Sequence, residues 1–215
     1  MEIQRPLPIV RVFGDDEDQT PLRRFWYETY VEEMGRDQDQ ADHEKRELPD
    51  ARSHIGEVIV AQVDGNVVGT LICTPSWTRA LGDYEALYDM QRLGNQHPNN
   101  TGVITKLMVA PEYRQSRLSI RISRELYRHA VPLGVHHALI DCNEHLLSFF
   151  LRLGFLPFGP PVRHPAYGHV HVLKLDCLDL DNLRHMRSPL LSTALQTAPL
   201  IKTSDPKRKI EGVPA

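Results

Sequence analysis

The chain has 215 residues, with 25 Lys and Arg against 28 Asp and Glu for a formal net charge of −3, and this length suits one main domain with tails. Hydrophobic residues make up 41% and charged residues 25%, and no window holds the roughly 18 uninterrupted apolar residues of a membrane span, which excludes integral membrane association. Slight overall acidity argues against nucleic acid as a partner, and the acidic cluster Asp15, Asp16, Glu17 and Asp18 follows no apolar secretory core, so cytoplasm is the expected compartment.

Residues 1–19 read as an N-terminal segment, 20–190 as the domain, and 191–215 as a tail loose in solution, because its Thr, Ser, Pro and Lys-rich sequence lacks periodic apolar residues. Thr20-Pro21 opens a helix over 20–34, with Thr20 as N-cap and Pro21 at the first helical position. The β-rich runs 57–63 and 66–72 flank Asp64-Gly65, the strongest short hairpin signal. Leu81, Tyr84, Leu87, Tyr88 and Leu93 recur at mixed spacings of three and four, which predicts an inserted helix over 79–93. A strand follows over 102–109, ended by Ala110-Pro111, then a helix from about 115 to 130 stopped by Gly134. A short strand over 136–141, a helix over 143–152 closed by Gly154, and a last strand over 168–177 complete the order. This β-α-β-α succession calls for an α/β (α+β) domain with a mixed, partly parallel central sheet flanked by helices.

Charge is segregated within the near-neutral total. Between Glu28 and Asp50 nine acids face three bases, a net −6 that would attract cations or amines. From Pro111 to Ala130 five arginines face two glutamates, a net +3, and Arg114, Arg117, Arg121, Arg124 and Arg128 recur at three and four, one stripe on a helix. Such a ridge suits a polyanionic partner, or is an ordinary solvated face. The three cysteines, Cys73, Cys142 and Cys177, form neither a CxxC pair nor a disulfide framework. His169 and His171 share a strand face, yet neither they nor His164 have a carboxylate or cysteine at ligand spacing, so no metal site is read.

The junction KLMVAPEYRQSRLS, residues 106–119, runs a strand through a loop into a helix N-terminus, an arrangement that favours anions. Here the sequence resembles the GNAT acyltransferases, whose equivalent unit binds the pyrophosphate and pantetheine of an acyl-thioester donor. Over 22–190 it is similar to the N-acyl amino acid synthases, relatives of the autoinducer synthases, at YVEEMG (30–35), ADHE (41–44), DGNVVGT (64–70), TKLMVAPEYR (105–114), RLGFLPFG (152–159), HPAYGHV (164–170) and MRSPL (186–190). The resemblance implies the GNAT fold and amide formation: a fatty acyl group moves from a thioester to the amine of an amino acid or a peptide side chain by direct attack. No permanently bound cofactor is implied; the donor is acyl-phosphopantetheine on acyl carrier protein, or acyl-CoA. A CoA-dependent acetyltransferase and a noncatalytic acyl- or carrier-binding module are the alternatives.

The same resemblance assigns thioester and pantetheine contacts to Met108, Val109, Arg114, Gln115, Ser116, Arg117, Leu118 and Ser119, with backbone N–H groups near Met108 and Val109 facing the thioester oxyanion. Family members with CoA donors carry small residues where this chain has Arg117 and Ser119, which favours a carrier protein docking on Arg117, Arg121, Arg124 and Arg128. Tyr84, Leu87, Tyr88 and Phe150 are acyl-pocket candidates, or simply core, and Phe150 stands where many GNAT enzymes place an acidic tyrosine. The ammonium must lose a proton to a group in reach. Glu33 and Glu44 are the candidate bases, with Asp141, Glu144 and His145 as rivals, while an ion pair of Glu33 with Arg23 or Arg24 is the structural alternative. Lys106 would bind an acceptor carboxylate or the oxyanion, or is an ordinary strand-end lysine.

Overall fold

The computed structural model describes residues 6–201. Strand β1 (Ile9–Val12) lies within the N-terminal segment, where no strand is expected, and pairs antiparallel with the second strand. Helix α1 (Thr20–Tyr27) starts one residue earlier than expected, with Gln19 rather than Thr20 at the N-cap, and passes into a π-helical turn, Glu28–Glu33, rather than continuing as α-helix. The hairpin of β2 (Glu57–Val63) and β3 (Asn66–Pro75) turns at Asp64 and Gly65, with φ of 50° and 82° as a tight inverse turn requires. The expected inserted helix shrinks to α2 (Tyr84–Leu87) and a 3-10 segment at Met90–Gln96. Its apolar residues obey no single helical face because they pack onto the sheet from a coiled path.

Next come β4 (Thr101–Val109), α3 (Leu118–Ala130), β5 (His137–Cys142) and α4 (Glu144–Leu153), the last closed by Gly154 at φ 106°. Short strands β6 (Leu156–Pro157) and β7 (Val162–His164) precede β8 (Gly168–Asp176) and α5 (Leu180–His185). The tail expectation fails in part: Leu191–Ile201 forms α6, which packs on α3 and buries Leu190 and Ala194, and 202–215 lie outside the described residues.

The sheet runs β1-β2-β3-β4-β5-β8-β6, with β7 beside β8. Among the described residues only β4 and β5 are parallel neighbours, and they pair at just three positions, Thr101↔His137, Gly102↔Ala138 and Val103↔Leu139, before separating. One cause is a bulge in β4: Thr70 opposes Met108 while Ile72 opposes Thr105, leaving an extra residue that bends the strand. Lys106, at the bulge, has φ 55°, a left-handed conformation that costs an ordinary residue about 1–2 kcal/mol. Trp26 Nε1 donates to Thr70 Oγ1, which donates in turn to the Lys106 carbonyl, and this buried chain holds the bulge.

Helix α3 crosses β1, β2 and β3, and it can approach closely because Gly69 lacks a side chain: a Cβ there would stand 2.7 Å from Ile122 Cδ1. Ile122 is wholly buried in the main core, and burying such a side chain contributes about 1.5–3 kcal/mol. A second, smaller cluster (Leu81, Tyr88, Met90, Val103, Leu139, Val172) joins the inserted segment to β4, β5 and β8.

Candidate active site

Where β4 and β5 part, a cleft opens. Its floor is Ile104, Leu107, Ile140 and Phe150, and its other wall carries Tyr30, Arg36, Arg52, Tyr84, Lys106 and Asp141. Behind the floor, Ile104, Leu107, Ile140 and Phe150 also border an inner void of about 40 Å³ lined almost wholly by apolar side chains.

Lys106 reaches the cleft through the bulge. Its Nζ lies 3.2 Å from Asp50 Oδ2, 4.8 Å from the centre of the Trp26 ring and 4.9 Å from that of Tyr30, and the side chain is 7% exposed. Burial lowers its pKa, and Asp50 opposes that shift. Asp50 also accepts from the Arg52 backbone N–H at 3.0 Å, from Nε at 2.9 Å and from Nη2 at 2.8 Å. Although burial works the other way, Arg52 and Lys106 together hold the Asp50 carboxyl at a pKa of about 2. The result is a buried carboxylate shared by two cations. Asp50 was one acid among nine in the sequence, and nothing in its spacing marked it as the one turned inward.

The rest of the acidic run does not assemble an amine pocket. Glu32 pairs with Arg46, Asp42 with Lys45, and Glu33 with Arg114 rather than with Arg23 or Arg24. The Glu33–Arg114 contacts measure 2.5 and 2.6 Å and lower the Glu33 pKa, which makes it a poor proton acceptor. Glu44 is exposed in a turn and does not line the cleft, so neither expected base is brought to Lys106. Of the rivals, Glu144 is exposed and pairs with His171, and His145 is exposed. Asp141 does line the cleft, and burial raises its pKa. Tyr88 Oη faces Asp141, yet neither it nor Asp141 Oδ2 has a hydrogen-bond partner, while His164 Nε2 lies 3.9 Å from the carboxylate.

His164 and Tyr167, from the HPAYGHV block, reach the same cleft region. Their rings stack at 4.1 Å, Tyr167 is parallel to Tyr30 at 6.0 Å, and Arg36 lies 4.4 Å above the Tyr167 ring. Desolvation first, then Arg36 and Arg52, lowers the His164 pKa. Sequence reasoning gave Arg36 no role, because only the turn at Gly35, with φ 62°, and the distant β7–β8 loop bring it there.

Of the acyl-pocket candidates, Tyr84 and Phe150 line the cleft. Leu87 and Tyr88 instead pack into the small cluster with Val103, Leu139 and Val172, so their apolar surface completes a core. On the donor side, Ala110 N–H bonds to Val68, which by strand alternation turns the Val109 N–H and C=O toward the open edge. Arg114 Nε holds the Val109 carbonyl at 2.9 Å. Ser116 Oγ accepts from Leu118 N–H and so caps α3, while Gln115 and Ser116 border an open depression with Arg114. The arginine stripe is divided. Arg121 Nη2 donates to Pro8 O and Arg124 Nε to Pro189 O, both at 2.8 Å, so these two fasten chain segments. Arg128 is exposed beside Glu125, Arg117 is exposed, and Ser119 is half-buried at the start of α3.

The sequence profile of the acetyltransferase (GNAT) family matches residues 21–155. No curated protein matches the chain in sequence. Among solved structures, BjaI, a CoA-dependent acyl-homoserine lactone synthase with bound MTA, is similar at 14% identity and a TM-score of 0.64, over 89% of this chain and 99% of its own. FeeM, an N-acyl amino acid synthase from uncultured soil microbes, is similar at 11% identity and a TM-score of 0.63, over 81% and 92%. LasI, an acyl-homoserine lactone synthase, follows at 14% and 0.61, over 79% and 89%. At these identities the likeness establishes a common fold, and the profile match over most of the chain establishes more: the chain belongs to the acetyltransferase (GNAT) family and is an acyltransferase.

Proposed function

We propose that the chain moves a fatty acyl group from a phosphopantetheine thioester to the amine of an amino acid, with the thioester carbonyl held where β4 and β5 part. The three-pair limit of that parallel contact carries the reading. It leaves strand edges unpaired, and a pantetheine arm, which contains two amides, can add to the β4 edge as a short strand does. The Val109 N–H, turned to the open edge, would then meet the developing oxyanion, while the same alternation turns the Met108 N–H toward β3. Lys106, fixed by Asp50, supplies nearby positive charge rather than a proton-accepting amine.

The acyl tail would pass over Ile104, Leu107, Ile140 and Phe150 toward the inner void. Each CH₂ buried there contributes about 0.8 kcal/mol, which favours fatty chains over acetyl. Direct attack by the amine suits the site. Cys142, the cysteine that lines the cleft, has its thiol pKa pushed up to about 11 by burial, so it is not a thiolate nucleophile at neutral pH. BjaI is described as CoA-dependent, whereas exposed Arg117 and Arg128 suit an acidic acyl carrier protein, which we take as the partner that delivers the acyl arm.

The test is incubation of the purified protein with acetyl-CoA, palmitoyl-CoA and palmitoyl acyl carrier protein, each with a panel of amino acids, followed by mass spectrometry. Long-chain amides are the expected products. Acetyl amides alone would make the chain a short-chain acetyltransferase, and tight carrier binding without any amide would make it a noncatalytic module.

A further inference from the structure

Two charged groups in the cleft, Arg36 and Asp141, make no close ion pair among the described residues; His164 Nε2 stands 3.9 Å from Asp141. Lys106 and Arg52 share Asp50. Arg36 has no acidic partner there, although the rings of Tyr167 and Tyr30 hold its guanidinium in place at 4.4 and 5.5 Å. A cation stacked on aromatic faces keeps its edge donors free for a planar anion. On the same wall, Asp141 Oδ2 is buried without a hydrogen-bond partner among the described residues, and in the small core cluster so is the hydroxyl of Tyr88, which is 2% exposed. The Tyr88 hydroxyl that faces Asp141 is itself a donor, but a carboxylate accepts several hydrogen bonds, so Asp141, which borders the cleft, can take a further donor from a ligand there.

A single ligand satisfies both residues: a zwitterion bearing a carboxylate and an ammonium. Resting on the acyl-transfer reading above, we propose that Arg36 binds the carboxylate of a free α-amino acid acceptor and that Asp141 receives its ammonium and takes the first proton. An amine on a peptide side chain has no carboxylate beside it and would leave Arg36 unused.

In this arrangement the ammonium donates to the Asp141 carboxylate and gives up one proton to it. The neutral amine attacks the thioester carbonyl carbon, the new C–N bond forms, and the C–S bond breaks. The thiolate leaves with the electron pair, and the second nitrogen proton ends on the thiol through solvent. Asp141 then returns its proton to water before the next turnover. His164 Nε2, 3.9 Å from Asp141, is neutral in its desolvated position and stacked on Tyr167, so it does not compete as a permanent counter-ion.

The experiment uses the full chain, palmitoyl-CoA and palmitoyl acyl carrier protein as donors, and matched acceptors: leucine and tyrosine against leucinamide and tyrosinamide, with Nα-acetyl-lysine amide for a side-chain amine. The wild type is expected to prefer the acids. Arg36→Gln is expected to raise KM for the acids about 10- to 100-fold and to leave the amides unchanged, and Arg36→Lys to recover part of the loss. Asp141→Asn is expected to lower kcat about 10²- to 10⁴-fold with acid and amide alike. Calorimetric titration of leucine and tyrosine into each variant, with thermal melts to confirm folding, reads the carboxylate contact without turnover. Equal use of acids and amides by the wild type, or equal loss on both in Arg36→Gln, overturns the assignment while acyl transfer stands. Preferential acylation of Nα-acetyl-lysine amide overturns it too. If no acceptor yields an amide with either donor, acyl transfer itself fails, and the assignment with it.

Discussion

Replacing Asp50 with Asn tests whether the buried carboxylate balances the cleft. The change keeps the side-chain shape, so the loss is chiefly one of charge. In the wild type, Asp50 Oδ2 lies 3.2 Å from Lys106 Nζ and 2.8 Å from Arg52 Nη2, with side-chain exposures of 6% for Asp50, 7% for Lys106 and 26% for Arg52. Breaking a buried pair from one side costs about 3–5 kcal/mol, and partial exposure of Arg52 points to the lower end, about 3 kcal/mol. The pH dependence follows from the depressed carboxyl. Its folded pKa of about 2 lies below the unfolded value of roughly 3.9, so its contribution is fully present above pH ~4 and is lost as pH falls toward 2. That shift corresponds to about 2–3 kcal/mol, about half of which is gone near pH 3. Urea unfolding of the two proteins at pH 7 and pH 3 should show a gap of about 3 kcal/mol at neutral pH that narrows by about 1 kcal/mol in acid. Equal stability at pH 7, or a gap insensitive to pH, would refute the shared-carboxylate account.

Three further outcomes are expected. Gly69→Val places side-chain atoms against Ile122 Cδ1, which a Cβ alone would meet at 2.7 Å, and should lower stability by about 1–3 kcal/mol in thermal or urea unfolding. Phe150→Ala joins the cleft to the inner void; it should cost about 3–5 kcal/mol of stability yet shift kcat/KM about tenfold toward longer acyl chains, and an unchanged ranking of chain lengths would count against the proposed tail path. Reversing Arg117 and Arg128 to Glu should slow transfer from acyl carrier protein while sparing a pantetheine thioester. Reversing Arg121 and Arg124 should instead lower the melting temperature, because their guanidiniums hold Pro8 and Pro189.

The parts of the fold that announced themselves in sequence are those with local causes. Asp64-Gly65 made its hairpin, and Gly154 ended its helix, because a left-handed residue was required at each place. Helix α6 stayed hidden because its buried positions include Thr193, Ala194 and Thr197 while Leu195 and Leu200 are exposed, the reverse of an amphipathic pattern. The arginine periodicity correctly foretold a helix face, yet spacing alone carries no information about what each guanidinium meets. Lys106 was legible as a strand residue at the donor junction. Its partner Asp50, and the association of Arg36 with Tyr167, depend on packing between segments more than fifty residues apart, which no local pattern records.

The parting of β4 and β5 also bears on solubility. An ordinary sheet edge lies at the rim of a molecule, where a second polypeptide can pair with it and start aggregation. Here the unpaired backbone sits in mid-sheet, between two strands still joined at Thr101–Val103, with α3 connecting the strands that flank it. A second chain would have to wedge those strands further apart to reach it, whereas a slender arm one bond-chain wide enters freely. By moving its vacant hydrogen-bonding edge inward, the protein keeps the capacity to add a strand and selects by thickness what may supply it.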